Sequence, residues 1–307
     1  MSGLVRIIPR LDIKWPNLVK GVQMEGVRVL GRPEDFARRY YLQGADELLY
    51  LDAVASLYGR NSLLDLILRT SREVFVPLTV GGGLRSVEDM RAVLAAGADK
   101  VAINTAALKR PELIREAANR FGSSAVVVSI EAKRRPDGSY EAYCDNGRER
   151  TGREVVAWAC AAAEAGAGEL LLTSVDREGT GRGFDLELVR RVAEAVPIPV
   201  VASGGAGTSE HVAEVIEQGL ADAVAVASLL HYAYTDASAG RDDHDAPPWA
   251  GREIPQAAGV VAATIRPTDL PSLKRRLAAR GVRCRPGPEA ADQWEACRYV
   301  EAAGGHC

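Results

Sequence analysis

The second half of this chain repeats the first. Residues 5–14 read VRIIPRLDIK and residues 125–133 read AVVVSIEAK. Each is a near-continuous apolar run ending in one carboxylate, with a lysine two residues later: Asp12 with Lys14, Glu131 with Lys133. Downstream, VPLTVGGG (76–83) recurs as IPVVASGGAG (198–207), and ADKVAINTAA (98–107) recurs as ADAVAVASLL (221–230). Asp12 and Glu131 lie 119 residues apart, and Thr105 and Ser228 lie 123 apart. So long a period means two copies of a supersecondary assembly, not a solenoid of short units.

Within each copy, apolar runs of about five to eight residues alternate with amphipathic segments. The runs are 5–11, 47–52, 75–80, 99–103, 125–130, 169–173, 198–202 and 222–226. Between them lie helix-period stretches such as 33–44, 86–97 and 184–196, several opened by a capping residue or Pro and closed by Gly. Runs that are apolar on both sides of the pleat suit a parallel sheet covered by helices. Eight strand–helix units predict an α/β fold, a (β/α)8 TIM barrel of two half-barrels, about 1–122 and 123–285. An open doubly wound sheet is the alternative. After the eighth strand, 235–266 is rich in Asp, Gly, Ala and Pro, and is read as an inserted loop. A last helix is expected within 270–284, with Leu270, Leu273 and Leu277 on one face and Gly281 where it would stop, followed by a short C-terminal tail over 286–307.

Composition narrows the function classes. A net charge of −3 with no long Lys/Arg run argues against nucleic acid, and no apolar stretch approaches the ~20 residues of a membrane span. Five scattered cysteines without C-x-x-C spacing, and no signal peptide, point to a reducing cytoplasm. Four histidines without paired spacing argue against a zinc site, and no metal or cofactor is expected.

In such a barrel the C-terminal ends of the strands face the active site. Asp12 and Glu131 end strands one and five, opposite each other across the ring, which suits a general acid and a general base on either side of one substrate. Alternatively, each pairs with its neighbouring lysine at the rim. Glycine clusters follow strands three (Gly81–Gly83) and seven (Gly204, Gly205, Gly207), where bare backbone N–H groups can cradle an anion. Asn104 and Thr105 after strand four, and Ala227 and Ser228 after strand eight, would complete two cradles. These imply a ligand with a phosphate at each end; plain tight turns are the other explanation. Thr173, Asp176, Glu178 and Gly179 in the loop after strand six, with Lys20 and Asp52, also point to the mouth. A short hairpin is expected over 141–151, because Asn146-Gly147 favours a type I′ turn.

The motifs LDIK…LVKG, TVGGGLRS, GADKVAINTAA, VVVSIEAKR, GAGELLLTSVDREGTGRGFD and ASGGAG resemble the cyclase subunit of imidazole glycerol phosphate synthase, the HisF family. That resemblance covers about 4–234 and resumes at about 268–285. It implies a barrel that receives ammonia from a glutaminase (HisH-type) partner on its N-terminal face. The ammonia cleaves a phosphorylated small-molecule substrate, a ribulosyl nucleotide with two phosphates, to imidazole glycerol phosphate and an aminoimidazole carboxamide ribotide. Asp12 and Glu131 match the family's two catalytic acids. Arg6, Glu47, Lys100 and Glu169 match its ammonia gate, although four charges at strand starts could equally form a structural plug.

The sequence departs from that pattern at three places around the mouth. Glu131 stands where Asp is usual, Trp15-Pro16-Asn17 replaces a DG turn, and Glu178 replaces Asp. Catalytic geometry tolerates errors of only about 0.5 Å. RLDIK-x-PNLVKG and LDAVASLYGRNSLLD (51–65) also look like a specialised branch that works with a glutaminase to form acetamidino groups on surface sugars. A non-catalytic scaffold conducting ammonia to a third protein is a further reading, and a sugar-phosphate isomerase of the related two-phosphate barrel type a weaker one.

Overall fold

The computed structural model describes residues 3–53, 63–235 and 264–287. In chain order its strands are β1 (Arg6–Lys14), β2 (Asn17–Val22), β3 (Glu25–Gly31), β4 (Leu48–Asp52), β5 (Leu78–Gly81), β6 (Lys100–Ile103), β7 (Val126–Arg134), β8 (Tyr140–Cys144), β9 (Glu149–Glu154), β10 (Glu169–Ser174), β11 (Val200–Ser203) and β12 (Ala223–Val226). Parallel pairing runs β10-β11-β12-β1-β4-β5-β6-β7, and β7 pairs back onto β10, which shuts the ring. Each apolar run read from the sequence contains one of these eight barrel strands or most of it. An open sheet would have left two unpaired edges; here the register at closure is Glu131 opposite Thr173, and Arg6 opposite Ala223.

The helices are α1 (Pro33–Leu42), α2 (Leu64–Thr70), α3 (Val87–Ala95), α4 (Thr105–Lys109), α5 (Glu112–Phe121), α6 (Val155–Glu164), α7 (Leu186–Ala195), α8 (Ser209–Glu217), α9 (Ser228–His231) and α10 (Leu270–Ala279). Their starts follow from local chemistry. Ser86 accepts the Asp89 N–H at 3.1 Å while Asp89 accepts the Ser86 N–H at 2.9 Å, a reciprocal capping box for α3. Asp185, Thr208 and Asp269 cap α7, α8 and α10 in the simpler way.

One device recurs before the strands. Asp46, Asp99 and Asp222 each accept the first free N–H of the neighbouring strand, from Ile7 at 2.8 Å, Leu78 at 2.8 Å and Val200 at 2.9 Å. A short acidic side chain therefore satisfies the donor that the ladder leaves open at the barrel floor.

Alternation along β1 sorts its side chains. Ile7, Leu11 and Ile13 pack outward into the large core beneath the helices, while Ile8 joins Leu49, Ala102, Val127, Leu171, Val201, Ala223 and Ala225 in a separate apolar layer inside the ring. Below that layer lie Arg6, Glu47, Lys100 and Glu169; above it lies the mouth.

One expectation needs correction. The stretch after β1, where no strand was expected, is an antiparallel hairpin in which β2 pairs β1 with Asp12 opposite Val19. The last helix ends at Ala279, just before Gly281 at φ 83°, and Cys284 makes a parallel bridge to Val5. The 141–151 hairpin is present as β8 and β9, through Asp145, Asn146 and Gly147 at φ 49°, 57° and 70°. Residues 54–62 of the 51–65 motif, most of the 235–266 insertion, and the tail beyond 287 lie outside the described residues. No helix among those described is long and apolar enough to cross a membrane.

α10 is tied to the barrel floor by a buried ion pair. Lys274 Nζ donates to Asp46 Oδ1 at 2.8 Å and to the Gly44 carbonyl at 2.7 Å. Asp46 is also met by Arg285 Nε at 3.0 Å, so loss of Lys274 leaves it a half-exposed cation and costs less than stranding a buried ion. Lys274→Met should lower unfolding stability by about 1–3 kcal/mol, read as a lower denaturant midpoint at unchanged slope.

Candidate active site

The mouth of the barrel holds a cavity of about 420 Å³ lined by Asp12, Lys20, Asp52, Gly82, Gly83, Asn104, Thr105, Glu131 and Glu178 among others. The two carboxylates expected to face each other across the ring do so. Each stands where its strand leaves the barrel and turns into a hairpin, β1 into β2 and β7 into β8.

Their partners differ. Asp12 does not pair with Lys14: its Oδ1 accepts from Arg10 Nε at 2.8 Å and its Oδ2 from Lys20 Nζ at 3.2 Å. Lys20 also pairs with Glu178, whose Oε2 lies 3.8 Å from Arg10 Nη1. Two cations and two anions thus form a closed, buried network. Glu131 accepts the Gly147 N–H at 2.7 Å and is also met by the Asn104 side chain, both neutral donors; among the described residues it has no ion-pair partner. Lys133 lies instead over the Tyr143 ring, 4.7 Å from its centroid.

Electrostatics follow from those contacts. Burial pushes Asp12 up, but Arg10 and Lys20 outweigh it and bring the carboxyl to about 2. Burial pushes Glu131 up as well, and the Gly147 N–H and the more distant Arg10 offset it only in part, leaving it at about 7. One acid is fixed as a carboxylate, and the other changes charge near neutrality. Two carboxyls pushed apart in this way are suited to different steps of one reaction.

Near the first half's cradle, Gly82 (φ 100°) and Gly83 line the large cavity beside Asn104, Thr105 and the cations Arg85, Lys109 and Arg110. Asn104 Nδ2 donates to the Tyr143 carbonyl at 3.2 Å, and Thr105 Oγ1 accepts the Asp145 N–H at 3.1 Å, so the β8–β9 turn packs against this cradle. The second half's cradle borders a separate space of about 20 Å³, lined by Gly179, Gly204, Gly205, Ala227 and Ser228 together with Arg10, Lys20 and Glu178. Gly205 has a second reason to be glycine: at φ 111°, a Cβ would sit 2.2 Å from the Gly183 carbonyl. Asn104 and Ala227 share one backbone conformation, φ −124°, ψ −85° and φ −119°, ψ −87°, so the duplication extends to the cradles.

Thr173 and Asp176 lie outside both spaces. Thr173 is buried and accepts from Arg10 at 3.3 Å; Asp176 uses its carboxylate on the Arg134 N–H at 2.8 Å. Sequence reasoning passed over Arg10, although a charge inside an otherwise apolar strand, two residues before Asp12 and so on its face, was a usable signal.

The four charges below the apolar layer also meet. Arg6 Nη1 donates to Glu47 at 2.8 Å, Lys100 Nζ to Glu47 at 2.9 Å and to Glu169 at 3.0 Å, and Arg6 pairs with Glu169. They close a ring across the barrel floor.

The raised Glu131 carboxyl has a stability signature. The folded state holds its proton up to about pH 7, while an unfolded glutamate loses it near ~4.3; stability therefore falls as pH rises through that window. Glu131→Gln should be more stable than the parent above pH ~7, by up to ~3 kcal/mol, with the gap closing towards pH ~4. Thermal melts of both proteins across that range check it.

A family model described as histidine biosynthesis protein matches residues 6–236. Over 206 residues, 67% of this chain and 97% of the relative, the sequence is 61% identical to an imidazole glycerol phosphate synthase subunit HisF from Legionella pneumophila. Over 227 residues, 74% of this chain and 90% of the relative, it is 52% identical to the protein of that name from Alkaliphilus metalliredigens (strain QYMF). The matched span contains all eight barrel strands and both carboxylates, and the chain belongs to the histidine biosynthesis protein family.

Proposed function

We propose that this protein is the cyclase subunit of an imidazole glycerol phosphate synthase. It takes ammonia released by a glutaminase subunit and uses it to cleave a ribulosyl nucleotide carrying two phosphates. The products are imidazole glycerol phosphate and an aminoimidazole carboxamide ribotide. The observation that carries this reading is the pair Asp12 and Glu131 on one cavity with opposite protonation habits. Asp12, ionised throughout, stabilises the positive charge that develops as ammonia adds. Glu131 gives and receives protons on the opposite side as the ring closes. Gly82, Gly83, Asn104 and Thr105, with the nearby cations, take one phosphate end; Gly179, Gly204, Gly205, Ala227 and Ser228 take the other.

Arg6, Glu47, Lys100 and Glu169 act as the gate through which ammonia enters from the partner on the N-terminal face. The apolar layer above them is a dry path that a small neutral molecule crosses more readily than an ion.

One observation supports a second reading, a specialised paralogue whose ammonia goes to amidination of a sugar or other metabolite. The space at the second cradle, about 20 Å³, is room for about one water. A phosphate there needs Arg10, Lys20 or Glu178 to move, whereas an acceptor with one anionic end does not.

The purified protein, given the ribulosyl nucleotide and an ammonium salt at high pH, should form both products. Asp12→Asn and Glu131→Gln should each lower turnover by at least about a hundredfold. Without product in the parent protein, the cyclase assignment is lost and the paralogue reading gains. With the glutaminase partner and glutamine as nitrogen source, Lys100→Met should lower product formation, while activity with added ammonium is largely retained.

A further inference from the structure

We propose that Arg10 is a positioning residue for Asp12, orienting its carboxylate from inside the barrel and tying it to β10 and β11. The proposal rests on the reading that Asp12 acts on the substrate.

Arg10 is held at both ends. Its backbone carbonyl accepts from His231 Nε2 at 2.9 Å, and His231 Nδ1 meets the Tyr40 hydroxyl at 2.6 Å. Because the carbonyl can only accept, His231 carries its proton on Nε2 and Tyr40 donates to Nδ1. The guanidinium extends along the mouth: Nε donates to Asp12 Oδ1 at 2.8 Å, and Nη1 donates to Ser203 Oγ at 3.0 Å and Thr173 Oγ1 at 3.3 Å. Ser203 and Thr173 belong to β11 and β10, so one side chain from β1 spans the upper end of the apolar layer. A planar guanidinium fixed at several points leaves Asp12 one orientation, which a flexible ammonium would not impose.

The alternative is that Arg10 merely fills the top of the barrel. Charge distinguishes the two. The groups facing Asp12 are Arg10 on its own strand, Lys20 on β2 and Glu178 after β10, with Glu131 across the cavity and His231 behind the strand. His231 is buried and stays neutral, at about 3. Glu178 opposes the charge on Asp12, so Lys20 and Arg10 together keep that carboxylate ionised. Loss of Arg10 leaves Lys20 alone between two anions.

The test is a carboxyl NMR titration of Asp12 combined with the pH dependence of ammonia-driven turnover, in the parent, Arg10→Met and Arg10→Lys. In the parent, the Asp12 signal should keep its ionised shift down to the lowest pH at which the barrel stays folded. In Arg10→Met it should titrate inside that range, and the acidic limb of turnover should move to higher pH. Arg10→Lys keeps the charge without the fork, so its Asp12 signal should stay flat while kcat falls on the order of tenfold to a hundredfold with KM little changed. A flat Asp12 signal in Arg10→Met, a turnover loss of the same factor at every pH in Arg10→Met, or full kcat in Arg10→Lys would overturn the proposal. If Arg10→Met does not fold, Ser203→Ala removes one anchor and should lower kcat without moving KM; unchanged kcat there counts against it. The NMR signal needs no substrate, so a protein that behaves as described in the titration but forms no product counts against the cyclase reading alone.

Discussion

Charge buried inside a closed barrel has to be matched, and this molecule matches it twice. Arg6, Lys100, Glu47 and Glu169 form a neutral quartet below the apolar layer. Arg10, Lys20, Asp12 and Glu178 form a second above it. A single uncompensated ion in that interior would cost several kcal/mol, so neither quartet can lose a member cheaply. Glu131 belongs to neither. It has no ion-pair partner among the described residues, and the Gly147 N–H, the more distant Arg10 and Asn104 offset its burial only in part.

Much of this was legible in the sequence. Eight apolar runs mark eight barrel strands because a strand covered on both faces has to be apolar on both. Asp12 and Glu131 stand out because each is the first charge to end such a run in the same place in both halves. Arg6, Glu47, Lys100 and Glu169 fall at strand starts, where an inward polar side chain meets the barrel floor. What the sequence hid was partnership. The rule that neighbouring charges pair suggested Lys14 and Lys133, but Asp12 takes Lys20 from the returning hairpin and Arg10 from its own face. The hairpin itself was missed because NLVKGV and EGVRVLG are short and mixed in polarity, without a clean alternation. The two glycine clusters look equivalent in the sequence, yet one borders a roomy cavity and the other a space closed by Arg10, Lys20 and Glu178. Volume depends on where long side chains from other strands settle, and no local pattern records that.

The glycines show how one residue serves structure and site together. Gly205 is forced by the approach of the Gly183 carbonyl, and the same bare backbone borders the second cradle. The tight-turn explanation and the anion-cradle explanation are therefore not rivals at this position. A loop that must run backbone against backbone is already one whose N–H groups lie open to a ligand.

The two halves also explain how one duplicated position came to hold two kinds of acid. Two residues before Asp12, on the same inward face, stands Arg10; two residues before Glu131 stands Ser129, which also lines the cavity. The backbone places both carboxylates alike, each at the root of a hairpin. A guanidinium at the first position drives its carboxyl down, and a hydroxyl at the second leaves burial to drive its carboxyl up. The Glu131 carboxylate reaches the Gly147 N–H at 2.7 Å, a neutral donor that offsets burial in part but stabilises the ionised form far less than a cation would. The asymmetry between a carboxyl held low and one pushed high thus rests on Arg10, with Lys20 from the returning hairpin, in one half and on Ser129 in the other, set into an otherwise repeated frame.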